Sequence, residues 1–220
     1  MKKLILIRHG QSVYNLENKF TGWEDVDLTD KGKSEANYAI SLLKNIKIDK
    51  AYTSNLKRAQ ETLSIILNGL NLNINVVKDE RLNERDYGDL IGQNKKDASL
   101  KFGKDQVQIW RRSYNVPPPG GESLEMTYNR CVPYFKNSIL KDILKYNIIL
   151  SAHGNSIRAI VKYLLNLSPE LILKTEIGWC EPWIFTFNKN KILSLEILFD
   201  KSIGSNSHLP ISFNEINTKI

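Results

Sequence analysis

Two stretches of the sequence share one pattern, and this pattern decides the fold. Leu4-Ile5-Leu6-Ile7-Arg8-His9-Gly10 and Ile148-Ile149-Leu150-Ser151-Ala152-His153-Gly154 are both apolar runs that end in His-Gly. A short continuous apolar run predicts a strand that is buried on both faces, as is typical of parallel sheets. In an open parallel sheet, ligands bind at the carboxyl ends of the strands. If these two strands are neighbours, we therefore expect both imidazoles to face one crevice.

Helical patterns alternate with the predicted strands. Apolar residues recur at helical spacing in segments 30–44, 56–69 and 155–166, and Ser168-Pro169 is typical of the start of a further helix. Gly69 is predicted to close its helix as a left-handed cap. Further strands are predicted at 51–53, 75–78, 183–187 and 192–198, the last two as a hairpin. This alternation predicts an α/β fold with a mostly parallel central sheet, one antiparallel edge strand and helices on both faces.

Length and composition indicate one domain that spans residues 1–220. The chain is long enough to bury a sizeable core, and the loop-rich stretch 115–121 lies too late in the sequence to divide two cores. The longest clean apolar runs have four residues, whereas a membrane span needs about 20. Cys131 and Cys180 sit in no metal-like spacing. We therefore expect a cytoplasmic protein with free thiols.

The charge pattern favours small anions as partners. The net charge is +7, but the lysines are spread among acidic residues, without the basic tail or dense run that nucleic-acid binding would favour. Only eight of the basic residues are arginines, and their planar guanidinium groups grip phosphates and carboxylates bidentately. Six of them lie near the His-Gly pairs or in short motifs with other polar residues: Arg8, Arg58, Arg85, Arg111, Arg112 and Arg158.

Two histidines and several arginines at one sheet edge favour phosphoryl transfer over metal chemistry. A metal site usually adds Asp, Glu or Cys ligands at tight spacing, and no such spacing occurs here. A neutral imidazole can attack phosphorus if its other ring nitrogen is held by an acceptor. Cations must then offset the charge of the phosphoryl group. Arg8, Arg58 and His153 are candidates for that role.

An ordered set of motifs resembles the histidine phosphatase superfamily and, within it, the 2,3-bisphosphoglycerate-dependent phosphoglycerate mutases. The set begins with the signature Arg8-His9-Gly10-Gln11-Ser12 and includes Phe20-Thr21-Gly22-Trp23, Leu56-Lys57-Arg58-Ala59, Leu82-Asn83-Glu84-Arg85-Asp86-Tyr87-Gly88 and Ala152-His153-Gly154-Asn155-Ser156. The resemblance covers roughly residues 2–200. Two regions depart from it: many longer members carry an insertion after the proline-rich stretch, and the tail from about Lys201 matches poorly.

The resemblance implies a role for individual residues. His9 resembles the phosphorylated nucleophile and Glu84 the general acid/base, while Arg8, Asn15, Arg58 and His153 resemble the groups around the transferring phosphoryl. Thr21, Gly22, Tyr87, Lys95, Arg111, Arg112 and Asn155 would hold the carboxylate and the second phosphate of the substrate. The full set of implied substrate-binding residues is Gly10, Gln11, Ser12, Asn15, Thr21, Gly22, Arg85, Tyr87, Lys95, Arg111, Arg112, Gly154 and Asn155.

The activity implied by the resemblance is the interconversion of 3-phosphoglycerate and 2-phosphoglycerate in glycolysis and gluconeogenesis. The implied cofactor is 2,3-bisphosphoglycerate as primer, without a metal. The alternative on the same scaffold is a phosphatase that passes the phosphoryl group from small phosphate monoesters to water. Small-molecule phosphoglycerates are the expected partners, with neither nucleic acid nor membrane, and the expected assembly is a homodimer or a monomer.

Overall fold

The computed structural model describes residues 1–215 of the chain, in which six strands form one sheet. The strands are β1 (Lys2–Arg8), β2 (Lys50–Thr53), β3 (Val76–Lys78), β4 (Ile148–Ala152), β5 (Trp183–Asn188) and β6 (Lys191–Ile197). Their order across the sheet is β3-β2-β4-β1-β5-β6. The first four strands pair in parallel, whereas β5 pairs antiparallel with β1, and the edge strand β6 pairs antiparallel with β5. The predicted fold class is confirmed.

Helices connect the strands and cover both faces of the sheet. In chain order they are α1 (Val13–Leu16), α2 (Asp30–Leu43), α3 (Lys57–Gly69), α4 (Lys95–Phe102), α5 (Lys104–Arg112), α6 (Leu124–Tyr134), α7 (Leu140–Ile143), α8 (Gly154–Leu165) and α9 (Pro169–Lys174). A π-helical turn, Phe135–Ile139, joins α6 to α7, and single 3₁₀ turns span Glu80–Leu82, Gly88–Leu90 and Phe213–Glu215.

Within residues 1–215, no helix combines the length and apolarity that a bilayer crossing requires. Both cysteines are buried and free, as predicted.

The apolar run of β1 is continuous because both of its faces are covered. Leu4 and Leu6 belong to the core on the side of α6 and α8, whereas Ile5 and Ile7 belong to the core on the side of α2 and α3. All four side chains are fully buried. Successive side chains of a strand point to opposite faces, so a strand covered on both sides needs apolar residues at every position.

The prediction that Gly69 forms a left-handed cap is wrong. Helix α3 continues through Gly69, and the residue with positive φ is Asn71, at 54°. Gly69 instead contacts α2: a Cβ atom at this position would lie 2.1 Å from Cδ1 of Ile40, so this side chain would have to move. The glycine therefore permits close packing of α3 against α2.

Two glycines bring the loop after β1 into direct contact with the first turn of α2. A Cβ atom on Gly10 would lie 2.2 Å from the carbonyl oxygen of Gly32, and one on Gly32 would lie 2.2 Å from the carbonyl oxygen of Gln11. Both obstacles are backbone atoms, which cannot move aside as a flexible side chain can. This contact fixes the path of the chain immediately after His9.

We expect Gly32→Ala to lower the free energy of unfolding by about 1–3 kcal/mol, the usual cost of overpacking. This loss opposes the ordinary preference of helices for alanine over glycine. Urea denaturation measures the change. Ser34→Ala, at an exposed position of the same helix, is the control and should change the stability by less than about 0.5 kcal/mol. Equal or greater stability of Gly32→Ala would contradict the close contact.

Candidate active site

The two His-Gly motifs meet at the carboxyl ends of β1 and β4. These strands are parallel neighbours with Arg8 opposite Ala152, and the backbone N–H of His9 donates to the carbonyl of Ala152 at 3.0 Å. The ring centroids of His9 and His153 lie 5.1 Å apart. Both side chains are almost completely buried. The predicted juxtaposition of the two imidazoles is confirmed.

The ring of His9 is held in one tautomer and is neutral. Its Nδ1 lies 2.7 Å from the carbonyl oxygen of Gly10. Because a carbonyl can only accept, Nδ1 carries the proton and Nε2 keeps its lone pair. Burial, together with the positive charges of Arg58 and Arg8, lowers the pKa of His9 well below its usual value of 6.5. At neutral pH, His9 therefore presents an unprotonated Nε2.

His153 is also a neutral, buried imidazole. Its Nε2 lies 2.7 Å from Oγ of Ser54, and Oγ also accepts from the backbone N–H of Leu56. Burial, followed by the charge of Arg58, lowers the pKa of His153 well below 6.5. Within residues 1–215, Nδ1 of this ring is buried without a hydrogen-bond partner. His153 thus has one unsatisfied polar atom in the vicinity of His9.

Two arginines beside the imidazoles are fixed by backbone carbonyls. Arg58 is only 1% exposed and donates from Nη1 to Glu24 and from Nη2 to Gly22, while Arg8 donates from Nη1 to Ile177. Burial lowers the pKa of Arg58 to about 10, which leaves it protonated at neutral pH. In both guanidinium groups Nε is buried without a partner among the described residues. Each arginine therefore retains a donor for a further anion.

Backbone amides hold the carboxylate of Glu84, the acid/base residue that the motif 82–88 implies. It is 8% exposed, and its Oε1 accepts from the backbone N–H of Arg85 at 2.8 Å and of Asn155 at 3.0 Å. Its own carbonyl accepts from Nε1 of Trp23 at 2.7 Å. These bonds connect Glu84 to the N-terminus of α8, immediately after His153.

Arg130 clamps the segment that carries Glu84. Its Nε and Nη2 atoms each donate to the carboxylate of Glu122 at 2.8 Å. It also donates to backbone carbonyls that include those of Arg81 at 3.0 Å and Glu84 at 3.2 Å. Glu122 also accepts from the backbone N–H of Asp86 at 3.1 Å. One bidentate ion pair thus fixes the backbone on both sides of Glu84.

A cavity of about 230 Å³ opens next to these residues. Its lining is mostly polar and consists of Arg8, Asn15, Lys19, Phe20, Thr21, Gly22, Glu84, Tyr87, Lys95, Arg111, Arg112, Gly154, Asn155, Arg158 and Glu176. Six of these residues are basic and two are acidic. Such an excess of positive charge suits a small ligand that carries several negative charges.

Arg85 does not line the cavity but contacts two residues that do. Nη2 of Arg85 donates to the hydroxyl of Tyr87 at 2.7 Å and to the carbonyl of Arg111 at 3.3 Å. Burial raises the pKa of the Tyr87 hydroxyl, but the charge and hydrogen bond of Arg85, together with the charge of Lys95, bring it below its usual value. Burial, and then the charges of Arg111 and Arg8, lower the pKa of Lys95.

Most, but not all, of the predicted binding residues line the cavity. Those that do are Asn15, Thr21, Gly22, Tyr87, Lys95, Arg111, Arg112, Gly154 and Asn155. Those that do not are Gly10, Gln11, Ser12 and Arg85. After His9 the chain turns away from the cavity: Gln11 bonds to Thr29 and Glu35, and Ser12 caps α1.

The predicted set lacks four cavity residues, which are Lys19, Phe20, Arg158 and Glu176. Arg158 follows Gly154 by four residues in α8, so helical spacing places it on the same face as the helix N-terminus. Lys19 and Phe20 directly precede the predicted Thr21. No sequence pattern indicated Glu176 as a cavity residue, because its position depends on backbone hydrogen bonds to His208, much later in the chain.

The proline-rich stretch packs against the segment after Glu84 rather than forming part of the cavity lining. The carbonyl of Pro119 accepts from the backbone N–H of Asp89 at 3.0 Å, and the backbone N–H of Glu122 donates to Asp86 at 2.9 Å. Gly88 adopts a positive φ of 51° beneath this turn.

Within residues 1–215, no group of three or more His, Cys, Asp or Glu side chains is arranged to hold a metal ion.

Comparisons of sequence find curated enzymes that are similar over most of the chain. The 2,3-bisphosphoglycerate-dependent phosphoglycerate mutase of Brucella melitensis is 50% identical over 202 residues, which cover 90% of this chain and 98% of the relative. The enzyme of the same name from Azorhizobium caulinodans is 49% identical over 195 residues, which cover 87% of this chain and 95% of the relative.

Solved structures with the same fold are more distant in sequence. The alpha-ribazole phosphatase of Shigella flexneri has a TM-score of 0.79 at 22% identity, over 93% of this chain and 99% of that one. A mycobacterial glucosyl-3-phosphoglycerate phosphatase has a TM-score of 0.76 at 24% identity, over 90% of this chain and 97% of that one. The family model of the histidine phosphatase superfamily, branch 1, matches residues 4–198. The chain belongs to the histidine phosphatase superfamily.

Proposed function

We propose that this chain is a 2,3-bisphosphoglycerate-dependent phosphoglycerate mutase, which interconverts 3-phosphoglycerate and 2-phosphoglycerate through a phosphoryl group on His9. The observation that carries the proposal is the neutral imidazole of His9, held in its Nδ1–H tautomer beside a strongly cationic cavity. Relatives that are about half identical over most of their length carry this name. The reaction belongs to glycolysis and gluconeogenesis.

The cavity suits 2,3-bisphosphoglycerate as a primer. This compound carries two phosphates and a carboxylate. The cavity lining offers six basic side chains, among them Arg8 with an unpartnered Nε–H, and the Nε–H of Arg58, which does not line the cavity, is also unpartnered among the described residues. When it is bound, it supplies the phosphoryl group that charges His9. Because arginines offset the charge of the phosphoryl oxygens, no metal takes part in the proposed reaction.

His9 acts as the nucleophile. Its Nε2 lone pair forms a bond to phosphorus while the bond from phosphorus to the ester oxygen breaks. The Nδ1–H bond to the Gly10 carbonyl stabilises the positive charge that develops on the ring. Arg8, Arg58 and His153 hold the phosphoryl oxygens. If Ser54 donates its hydroxyl proton to Nε2 of His153, as the bond from Leu56 to Oγ favours, Nδ1 carries a proton that can reach such an oxygen.

Glu84 moves the proton of the substrate hydroxyl. In the transfer from His9, a hydroxyl oxygen of the phosphoglycerate attacks phosphorus and Glu84 accepts its proton; in the reverse step Glu84 returns the proton to the leaving oxygen. The two amides on Oε1 and the Arg130 clamp keep the carboxylate in place for both directions.

The remaining cavity residues hold the part of the substrate that does not react. Tyr87, Lys95, Arg111, Arg112 and Asn155 bind the carboxylate and the second phosphate. Thr21, Gly22, Asn15 and Gly154 also line the cavity, while Gly10, Gln11, Ser12 and Arg85 support it from behind.

We further propose that residues 1–220 work as one domain in the cytoplasm, as a monomer or a homodimer. Its partners are small-molecule phosphoglycerates, and neither nucleic acid nor a membrane surface takes part.

Incubation with ³²P-labelled 2,3-bisphosphoglycerate should label His9 with a phosphoryl group that is lost in acid but survives base. The label should be absent from His9→Ala, and EDTA should leave both labelling and turnover intact. The wild type should interconvert phosphoglycerates faster than it releases inorganic phosphate. Label on another residue would contradict the proposed nucleophile, and phosphate release as fast as interconversion would favour the phosphatase.

Glu84→Gln should lower kcat by about 10²- to 10⁴-fold with little change in KM, because it removes proton transfer but keeps the size of the side chain. Arg111→Ala should instead raise KM by about 10- to 100-fold, because one charge-assisted hydrogen bond is worth about 1.5–3 kcal/mol. Steady-state kinetics measure both values. Glu196→Gln, at an exposed position of β6, is the control and should change neither. Normal kcat in Glu84→Gln would assign the proton to another group.

The ring of His9 should stay neutral and protonated on Nδ1 at pH 6.5, because burial and two arginines lower its pKa. It should gain a second proton only below that pH. Because His9 binds this proton more readily in the unfolded chain, the folded state should lose stability as the pH falls below 6.5. NMR of ¹⁵N-labelled histidine measures the tautomer, with His9→Ala used to assign the signal. A doubly protonated His9 ring at pH 6.5 would contradict the proposed resting state.

A further inference from the structure

One carboxylate on the cavity wall neutralises two of its arginines. Oε1 of Glu176 accepts from Nη1 of Arg112 at 2.6 Å, and Oε2 accepts from Nη2 of Arg158 at 2.5 Å. All three side chains line the cavity that we propose to bind anions. A fixed negative charge in such a cavity repels the ligand as well as pairing with the arginines.

The tail of the chain fixes the position of Glu176. The backbone N–H and carbonyl of Glu176 exchange hydrogen bonds with those of His208, both at 2.9 Å. The carboxylate of Glu181 accepts from the backbone N–H groups of Asn206 at 2.7 Å and Ser207 at 2.9 Å. Residues 205–208 thus form a short strap across the segment that carries Glu176.

Glu176 is charged and lines the cavity. Burial raises the pKa of its carboxyl, but Arg158, Arg112 and Arg8 together outweigh burial and bring the pKa below its usual value. The side chains of Glu176 and Arg112 are 40% and 39% exposed, so a ligand can reach both.

Arg158 does not depend on Glu176 for its position. Its Nε donates to the carbonyl of Thr175 at 2.7 Å, and its Nη1 donates to Oδ1 of Asn155 at 3.3 Å. Replacing Glu176 by glutamine removes one negative charge and one of the two acceptor oxygens, while these other bonds leave Arg158 anchored.

We propose that Glu176 is a specificity-determining residue that weakens binding of the most highly charged ligand relative to the less charged one. With the ligands of the proposed function, on which this inference rests, 2,3-bisphosphoglycerate carries one phosphate more than 3-phosphoglycerate. A fixed negative charge therefore repels the bisphosphate more strongly. Glu176 prevents the bisphosphate from occupying the cavity so tightly that it excludes the monophosphate substrates.

Isothermal titration calorimetry with 3-phosphoglycerate and 2,3-bisphosphoglycerate tests the proposal. His9→Ala is the background, so that no phosphoryl transfer contributes heat. Adding Glu176→Gln should lower the Kd of the bisphosphate by about tenfold and that of the monophosphate by about threefold or less, as expected for removal of one nearby charge in a partly solvated site. High salt should reduce both effects. Glu196→Gln removes the same charge on exposed β6 and should alter neither Kd.

Glu176→Asp separates charge from geometry. It keeps the negative charge but shortens the side chain, so the ratio of the two Kd values should stay close to that of the background. Weaker binding of both ligands in Glu176→Gln, equal changes for both, or an aspartate variant that matches the glutamine variant would overturn the proposal and leave Glu176 as a support for the arginines.

The proposed function and this inference fail in distinguishable ways. If the wild type interconverts phosphoglycerates but Glu176→Gln leaves the ratio of the Kd values unchanged, the inference alone is wrong. If the wild type interconverts no phosphoglycerate, yet Glu176→Gln tightens the bisphosphate preferentially, the function alone is wrong.

Discussion

The parallel pairing of β1 with β4 is the constraint on which the rest of the site depends. With Arg8 opposite Ala152, the next residue of each strand is a histidine, and both rings leave the sheet at the same edge. The N-terminus of α8 begins directly after His153 and supplies the Asn155 amide that holds Glu84. A slip of one residue in this register would turn the apolar side chains of one strand toward the wrong layer. The cores on both faces therefore fix the spacing of the catalytic groups that we propose.

Burial of cations next to the histidines sets the chemistry of the site. Removing guanidinium groups from water is costly unless their N–H groups find acceptors. Here the backbone carbonyls of Gly22, Glu24 and Ile177 accept from Arg58 and Arg8. Carbonyls satisfy these donors without cancelling their charge. Burial of the rings and, after it, this uncancelled charge lower the pKa of both imidazoles, and the charge remains available to an anionic ligand.

The elements that could be predicted from sequence are those whose burial is regular. Strands β1 and β4 and helices α2, α3 and α8 have apolar patterns that match the layers they contact. The region 95–112 gave no such signal, because α4 and α5 each bury only one residue, Ala98 or Val107. In the site, the motifs identified the residues around the histidines. The motifs did not show that Tyr87 lines the cavity whereas Arg85 only contacts its lining. Two side chains of one motif can point in different directions, and the sequence alone does not give those directions.

Glu84 and Glu176 show why a carboxylate in a cationic cavity must be interpreted from its partners. Oε1 of Glu84 accepts from two backbone amides, which are neutral, so these bonds hold the carboxylate without cancelling its negative charge. Both oxygens of Glu176 instead accept from guanidinium groups, so its negative charge largely neutralises Arg112 and Arg158. The first arrangement suits a group that exchanges a proton, and the second suits a group that adjusts the net charge a ligand meets. The strap of residues 205–208 extends this adjustment to a part of the chain that does not touch the cavity, because its backbone bonds determine where Glu176 lies.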